Sequence, residues 1–414
     1  MPFMKKIKSS IHVIGLVFSI ALNSQTNNLT SSPYSLFGLG VESSISTGRN
    51  SAMGNSGIAL DASNGFNLYN PAAFASMVED NFVLEFGVTA EMVNISNSDI
   101  NESRNTYNFS NISIGYNRAK YGIGLTLNPA TNIGYELIGL ENNVEGSNDI
   151  FYTNVTGSGG INEMRLDYGY KLTDKINLGA KLSYLFGKVE ETESIVASTN
   201  YLEIYEESFY SGVRFGLGAQ YNLLDTHKFG VTLDFPTSLG ATKNSLVIKY
   251  NLGSSSTLED TTDERINSFD LPLQLGFGYS AKFNNLLFTT DYNKRFWSST
   301  NQTDAIGKYV DQDIYSIGFS YKINPQSRKY FERVDYRVGL NYNSGYLKID
   351  DTKIDSFNTS LGLGLPLGKS STLNFSYTYS NKGTTKDILV QERSNMFNIN
   401  LTLSDLWFQK RKYN

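Results

Sequence analysis

From about residue 81 onward, polar and apolar positions alternate with a period of two and almost no helical period. In "RLDYGY", Leu166, Tyr168 and Tyr170 share one face while Arg165, Asp167 and Gly169 share the other. In "INLGAKLSYLFG", Ile176, Leu178, Ala180, Leu182, Tyr184 and Phe186 alternate with Asn177, Gly179, Lys181 and Ser183. The same polarity recurs in "SGVRFGLGAQYN", "LPLQLGFGYS", "YRVGLNY" and "LNFSYTYS", with glycine mostly on the polar face. Such segments read as strands with one apolar and one polar side. About 14 of them follow residue 81, at the spacing of membrane strands of ~9–11 residues joined by turns. A soluble β-sandwich also alternates, but here it would leave a large apolar face exposed to water. Tyr and Phe at the strand ends suit the interfacial girdles of a barrel. The expected fold is all-β: a transmembrane antiparallel barrel of about 14 strands over residues 81–414.

The connections fall into two kinds. "KLTDKIN" around Asp174 and "AKFNNLL" around Asn284 and Asn285 read as tight turns. "GLENNVEGSND", "VEETESIVASTNYLEIYEE", "LGSSSTLEDTTDERIN" and "SSTNQTDAIGKYVDQD" read as long polar loops, and "GSGG" at Gly157 to Gly160 as another loop. Short turns inside and long loops outside are the asymmetry of an outer-membrane barrel. The last strand closes on Trp407 and Phe408 before "QKRKYN".

Two segments precede the strands. Lys5, Lys6 and Lys8, the apolar run Ile11 to Leu22 and the small Ser24 predict a signal peptide over 1–24, with a mature chain from about Gln25. That run is short of the ~20 residues a helical span needs. Residues 25–80 do not alternate; they are Gly- and Ser-rich with single aromatics. "NLYNPAAFASM" predicts a turn and a short helix, with Asn70 as cap and Pro71 in the first turn. A segment of this kind fits inside a barrel as a hatch.

Composition narrows the chemistry. The 414 residues contain no Cys, so disulfides and thiolate metal sites are excluded, and two His, His12 and His227. One lies in the signal peptide and the other in the "DTHK" turn, which leaves no His-based catalytic pair and no zinc site. The nucleophile-elbow pattern G-x-S-x-G is absent from any strand-to-helix context, and an enzyme is not expected. Glu190, Glu191 and Glu193 read as a solvated acidic face rather than a Ca²⁺ site. The net charge of −5 becomes −8 without the three leader lysines, which argues against nucleic acid.

The signal peptide, the phrase "AMGNSGIAL", the Asn70-Pro71-Ala72 step and the amphipathic strands together resemble the FadL-type outer-membrane barrels, the long-chain fatty-acid and aromatic-hydrocarbon transporters. The phrases "GSGGINEMRLDYGYKLTDKINLGAKLSYLFG" and "LTLSDLWFQKRKYN" look like a divergent branch. The resemblance covers nearly the whole mature chain. It implies a 14-stranded barrel, an N-terminal hatch over 25–80 inside the lumen, and hydrophobic substrates that leave through a lateral opening after the hatch moves. No apolar extracellular helix pair is evident in this sequence.

The resemblance makes Asn70, Pro71 and Ala72 candidates for a hinge or constriction, against the plain reading of a helix start. Arg49 either grips a carboxylate or anchors the hatch to the wall. Tyr34, Phe37, Phe66, Tyr69 and Phe74 either line an apolar pocket or pack against the barrel. Alternation turns Arg165, Asp167, Lys181, Arg214, Asp234, Asp291, Asp335 and Arg337 inward, where they orient a head group, latch the hatch, or pair with opposite charges on neighbouring strands. The expectation is a barrel in the outer membrane of a Gram-negative bacterium that passes small hydrophobic molecules by hatch-gated diffusion. The alternative is an accessory barrel subunit of an outer-membrane secretion or assembly complex. Expected partners are outer-membrane lipid, an apolar ligand and proteins of such a complex, with no cofactor.

Overall fold

The structure, a computed structural model, describes residues 30–43, 48–62, 65–97, 101–143, 150–197, 200–251, 254–304, 306–368, 370–386 and 389–406. The signal-peptide reading and the terminal Trp407 and Phe408 lie outside these residues.

The strands form a closed antiparallel barrel of 14 strands. They are β1 Asn81–Ser96, β2 Asn101–Arg118, β3 Tyr121–Asn143, β4 Ile150–Lys171, β5 Ile176–Ala197 and β6 Asn200–Leu224. Next come β7, in two segments, His227–Asp234 and Thr237–Asn251, and β8, also in two, Ser254–Leu271 and Gln274–Phe283. The rest are β9 Leu286–Arg295, β10 Gln312–Lys322, β11 Asp335–Asn343, β12 Ser356–Pro366, β13 Thr372–Gly383 and β14 Gln391–Leu406. Closure comes from β14 against β1, in unbroken register from Asn81↔Leu406 to Ser96↔Gln391. Leu166, Tyr168, Leu182, Tyr184, Phe215, Phe277, Phe319 and Val338 are exposed on the outer face, the belt that meets lipid.

Two features correct the expected loops. The stretches from 189 to 197, from 200 to 207 and from 254 to 267 continue the strands, as do Gly139 to Asn143 and Gly157 to Gly160. Strands β3 to β6 therefore run 23, 22, 22 and 25 residues, against 9 to 12 for β9 to β13. The acidic, polar composition suggested loops because both faces of these extensions are solvated, so the alternation loses its apolar phase while the backbone ladder goes on. Gly159 and Gly160 join that ladder with φ of 113° and 145°, a backbone that glycine alone tolerates. By contrast, the described residues of 298–311 do leave the ladder, through a short 3₁₀ turn at Trp297–Thr300 and a small strand Gly307–Tyr309.

Prolines interrupt the wall. Pro236 and Pro272 lie in the breaks of β7 and β8, where a missing N–H cannot serve a central ladder. Below the breaks β8 joins β7 to β9; above them Ser254–Leu271 pairs only with Thr237–Asn251. A second interruption separates β2 from β3. They pair only from Ile112↔Leu127 down to Arg118↔Tyr121, and Pro129 and a register shift at Gly87/Val88 lie just above Ile112↔Leu127. The two-residue strand Val41–Glu42 of the N-terminal segment pairs with Asn132 and Thr131 on the edge of β3 that this parting leaves.

The apolar core is inside the barrel. Ala62, Phe66, Leu68, Ala73, Phe74, Met77 and Val83 pack at the short-turn end, and Leu39 packs with Ile161, Leu185 and Leu239 higher up. Tyr34 and Phe37 join Trp297, Tyr309, Leu347, Ile349, Ile354 and Leu389 in a cap at the long-loop end.

Candidate functional site

The N-terminal segment occupies the lumen, and the wall is shaped to receive it. Glycines at the same height on successive strands pair in register: Gly169↔Gly179, Gly179↔Gly218, Gly230↔Gly278 and Gly318↔Gly339. Each meets segment backbone or a residue beside it. A Cβ on Gly179 would overlap the Ala72 nitrogen, one on Gly230 the Ile58 carbonyl, and one on Gly339 the Gly54 nitrogen. The glycines of the polar face thus let the segment's main chain lie directly on the wall.

Polar side chains then grip that main chain. Asp291 Oδ2 on β9 accepts the Gly57 and Ile58 amides at 2.6 and 3.0 Å. Gln220 Nε2 on β6 donates to the Ile58 and Leu60 carbonyls at 3.1 and 2.9 Å. Asn117 donates to the Phe74 carbonyl at 3.1 Å, Ser280 to Ala59 at 3.2 Å, and Ser360 accepts from Gly54 at 3.0 Å. Buried main-chain groups must find partners, and here the wall supplies them. Lys228 and Asp61 add an ion pair, as do Arg295 and Glu42. Of these anchors only Asp291 stands out in the sequence. Asn, Gln and Ser on a polar face are too frequent in this chain to single out without the segment's path.

Asn70 caps the 3₁₀ helix Pro71–Ser76. Its Oδ1 accepts the Ala72 amide at 3.0 Å, while Nδ2 donates to Ile58 within the segment and to Ala219 on β6, at 2.9 and 3.1 Å. Pro71 stands at the first turn and Ala72 is fully buried. Arg49 donates to the Asp61 carbonyl at 2.6 Å, a contact inside the segment. The candidate aromatics are not gathered into one pocket. Phe66 and Phe74 meet edge to face at 5.9 Å in the lower cluster, Phe37 belongs to the upper cap, and Tyr69 borders the space between. Tyr34 donates to the Val390 carbonyl at 2.6 Å.

That space is a cavity of about 500 Å³ whose lining includes Glu42, Arg165, Lys181, Arg214, Asp234 and Arg295. All of these but Arg214 stand in ion pairs. Arg165 and Asp167 form a bidentate pair, both bonds 2.6 Å, on one strand at 1 % and 0 % exposure. Lys181 on β5 reaches Asp234 on β7 at 2.7 Å, passing over β6, and Ser183 donates to Glu163 at 2.5 Å. Arg214 instead donates to the Phe235 and Pro272 carbonyls at 3.1 and 2.5 Å, so its guanidinium bridges the two proline breaks. Asp335 and Arg337 pair at 2.9 Å, and Arg337 also donates to Asn374. Pairing runs along a strand or over a neighbour as well as between adjacent strands, because lumen side chains converge toward the axis.

In the cap, burial raises the phenol pKa of Tyr309 and Tyr346, and for both a nearby carboxylate adds to the shift. Among the described residues no cluster of His, Cys, Asp or Glu is arranged to hold a metal ion.

No curated protein matches this chain. Solved structures do, at low identity. The Pseudomonas putida toluene transporter TodX matches with a TM-score of 0.61 at 16% identity, over 87% of this chain and 97% of that one. The Ralstonia pickettii toluene transporter TbuX matches at 0.54 and 16%, over 85% and 96%. A Pseudomonas aeruginosa FadL homologue matches at 0.60 and 12%, over 88% and 98%. These likenesses establish a shared fold, and the FadL-type barrel architecture read from the sequence is the architecture present. The family model described as BamG matches residues 4–414, and the chain belongs to the BamG family.

Proposed function

We propose that this barrel is a structural, accessory subunit of an outer-membrane protein secretion or assembly complex, with its N-terminal segment as a fixed plug. The observation that carries this reading is the sheet that rises beyond the barrel on one side. There β3 to β6 outlast the short strands by about 33–53 Å of strand at ~3.3 Å per residue, and the upper segments of β7 and β8 continue beside them. The upper segment of β8 is exposed along most of its length and pairs on one edge only. An exposed edge of that length is a surface for another chain. The lumen cavity mixes ion pairs with apolar side chains such as Leu185, Leu271, Trp297 and Tyr346, so the sheet extension alone carries the reading. The chain is exported through its cleaved leader into the outer membrane of a Gram-negative bacterium, where the extension faces outward.

The test is purification of the tagged protein from detergent-solubilised outer membranes, with mass spectrometry of co-purifying proteins and bound lipids. A stoichiometric protein partner is expected, lost when the tip of the β5–β6 hairpin is shortened from 190–207 to a two-residue turn. A barrel that comes out alone overturns the reading.

A second reading is hatch-gated passage of a small hydrophobic molecule, and the parting of β2 from β3 favours it. That gap lies beside the cavity, and the fold is shared with barrels named as toluene transporters. On this reading Asn70, Pro71 and Ala72 form the hinge and Arg49 stiffens the hatch. Recovery of the barrel without a protein partner but with a bound apolar molecule would select it.

A further inference from the structure

Most connections at the short-turn end are tight, but β10 ends at Lys322 and β11 begins only at Asp335, with a short helix, Tyr330–Arg333, between them. This turn bonds mainly to itself. Asn324 donates its amide to the Glu332 carbonyl at 2.8 Å, Ser327 to the Asn324 carbonyl at 3.2 Å, and Lys329 to the Ser327 hydroxyl at 3.1 Å. Its helix carries Phe331, at 75 % exposure the most exposed large hydrophobic side chain among the described residues. Tyr330 meets Phe331 edge to face at 6.0 Å and is exposed as well, as is Ile323 at the start of the turn.

Register shows what stands above the turn, since cross-strand partners lie on the same face of a sheet. Phe283, Leu286, Tyr321, Tyr336 and Leu363 are partners in one row across β8 to β12, the last outward-facing row that β9, β10 and β11 share. Tyr336 donates its hydroxyl to the Phe331 carbonyl at 3.1 Å, so the turn lies against the lipid-facing side of the wall. The wall is low at this point. Strand β11 has 9 residues, the fewest in the barrel and the lower end of the ~9–11 that a spanning strand needs. The charges of the turn are unevenly engaged. Its one carboxylate, Glu332, is taken by Lys329 at 3.3 Å, while Arg328 and Arg333 stand in no ion pair among the described residues. The Arg333 guanidinium lies over the Tyr330 ring at 5.5 Å, next to the exposed aromatics.

We propose that this turn is a foot seated in the phospholipid leaflet on the periplasmic side of the membrane. Ile323, Tyr330 and Phe331 enter the boundary between acyl chains and headgroups, and Arg328 and Arg333 take lipid phosphates there. The foot extends the apolar belt below its shortest strand. Phospholipid is the occupant because the exposed aromatics continue the lipid-facing row at Tyr336 without a break. A protein would have to displace lipid from beneath that row to reach the same side chains. The inference rests on the outer-membrane placement given above and is independent of whether the barrel has a protein partner.

The experiment is tryptophan quenching in the full chain, reconstituted into phosphatidylethanolamine and phosphatidylglycerol vesicles with or without brominated acyl chains. Phe331→Trp and, in the belt of the same strand, Leu340→Trp are each made on a Trp407→Phe parent and read as quenching in excess of that parent. Both should be quenched, Phe331→Trp more by bromines near the glycerol than by bromines near the chain ends. Adding Arg328→Gln and Arg333→Gln should lower its quenching roughly twofold, the scale of exposed ion pairs. The heat-modifiable gel shift confirms that each barrel has formed, and Tyr330→Trp replaces Phe331→Trp if that variant does not form one. Quenching of Leu340→Trp without quenching of Phe331→Trp would overturn the foot and leave the membrane placement standing. No quenching at either position would overturn the placement and the foot together. A Phe331→Trp emission shielded only when a co-purified protein is present would make the turn a protein contact instead, and quenching unchanged by the arginine substitutions would overturn the phosphate contacts.

Discussion

Asp291 accepts the amide of Gly57 at 2.6 Å, tying strand β9 to a point 234 residues earlier in the chain. The same oxygen accepts the Ile58 amide, so one wall carboxylate fixes two consecutive peptide units of the lumenal segment. Replacing Asp291 with Ala leaves two buried donors unmatched. A loss of roughly 1.5–3 kcal/mol is expected, the scale of hydrogen bonds to a charged group. The midpoint of the heat-modifiable gel shift should fall, while Ala substitution at exposed Asp260 in β8 should leave it near the wild type.

Gly179 carries no side chain because the Ala72 nitrogen occupies the place of its Cβ. Gly179→Val suits a strand by propensity but drives the lumenal helix off the wall. The barrel should still insert, with the N-terminal segment displaced. Single-channel recording should show conductance above wild type. Val at the neighbouring lipid-facing Ala180 serves as control and should leave conductance unchanged.

Arg165 and Asp167 are buried together, and each is the other's counter-ion. Asp167→Ala strands the guanidinium and should cost about 3–5 kcal/mol. Arg165→Met with Asp167→Leu removes both charges and should recover most of that loss. Urea unfolding in detergent micelles, read by tryptophan fluorescence, separates the two outcomes. A double variant as unstable as the single would show that the pair is held by further lumen contacts.

Tyr309 and Tyr346 stand in the cap, where burial holds their phenols neutral beyond the ordinary pKa of 10. In the unfolded chain both ionise near that ordinary value. Their raised folded pKa makes the cap fully stable below pH 10 and progressively less so above it, because the unfolded state then releases protons that the folded one keeps. Hydrogen exchange in 345–350 should therefore rise between pH 10 and 11 relative to the intrinsic rate. Tyr309→Phe with Tyr346→Phe should remove much of that rise.

The barrel was legible in the sequence because the lipid-facing period of two is imposed residue by residue. "RLDYGY" and "INLGAKLSYLFG" declare both their strand state and their two faces before any partner strand is known, and the FadL-type phrases add the order of segments. The same logic misread 189–207 and 254–267 as loops. Once a strand leaves the bilayer, neither face must be apolar, so nothing local distinguishes a solvated ladder from a loop. What only the tertiary structure decided is which interior residues meet. Asp291 finds Gly57, Lys181 reaches over a strand to Asp234, and Arg214 serves the carbonyls of two proline breaks, each through contacts between segments far apart in the chain. Alternation tells a side chain that it points inward. Barrel closure, strand register and the path of the lumenal segment tell it what lies there.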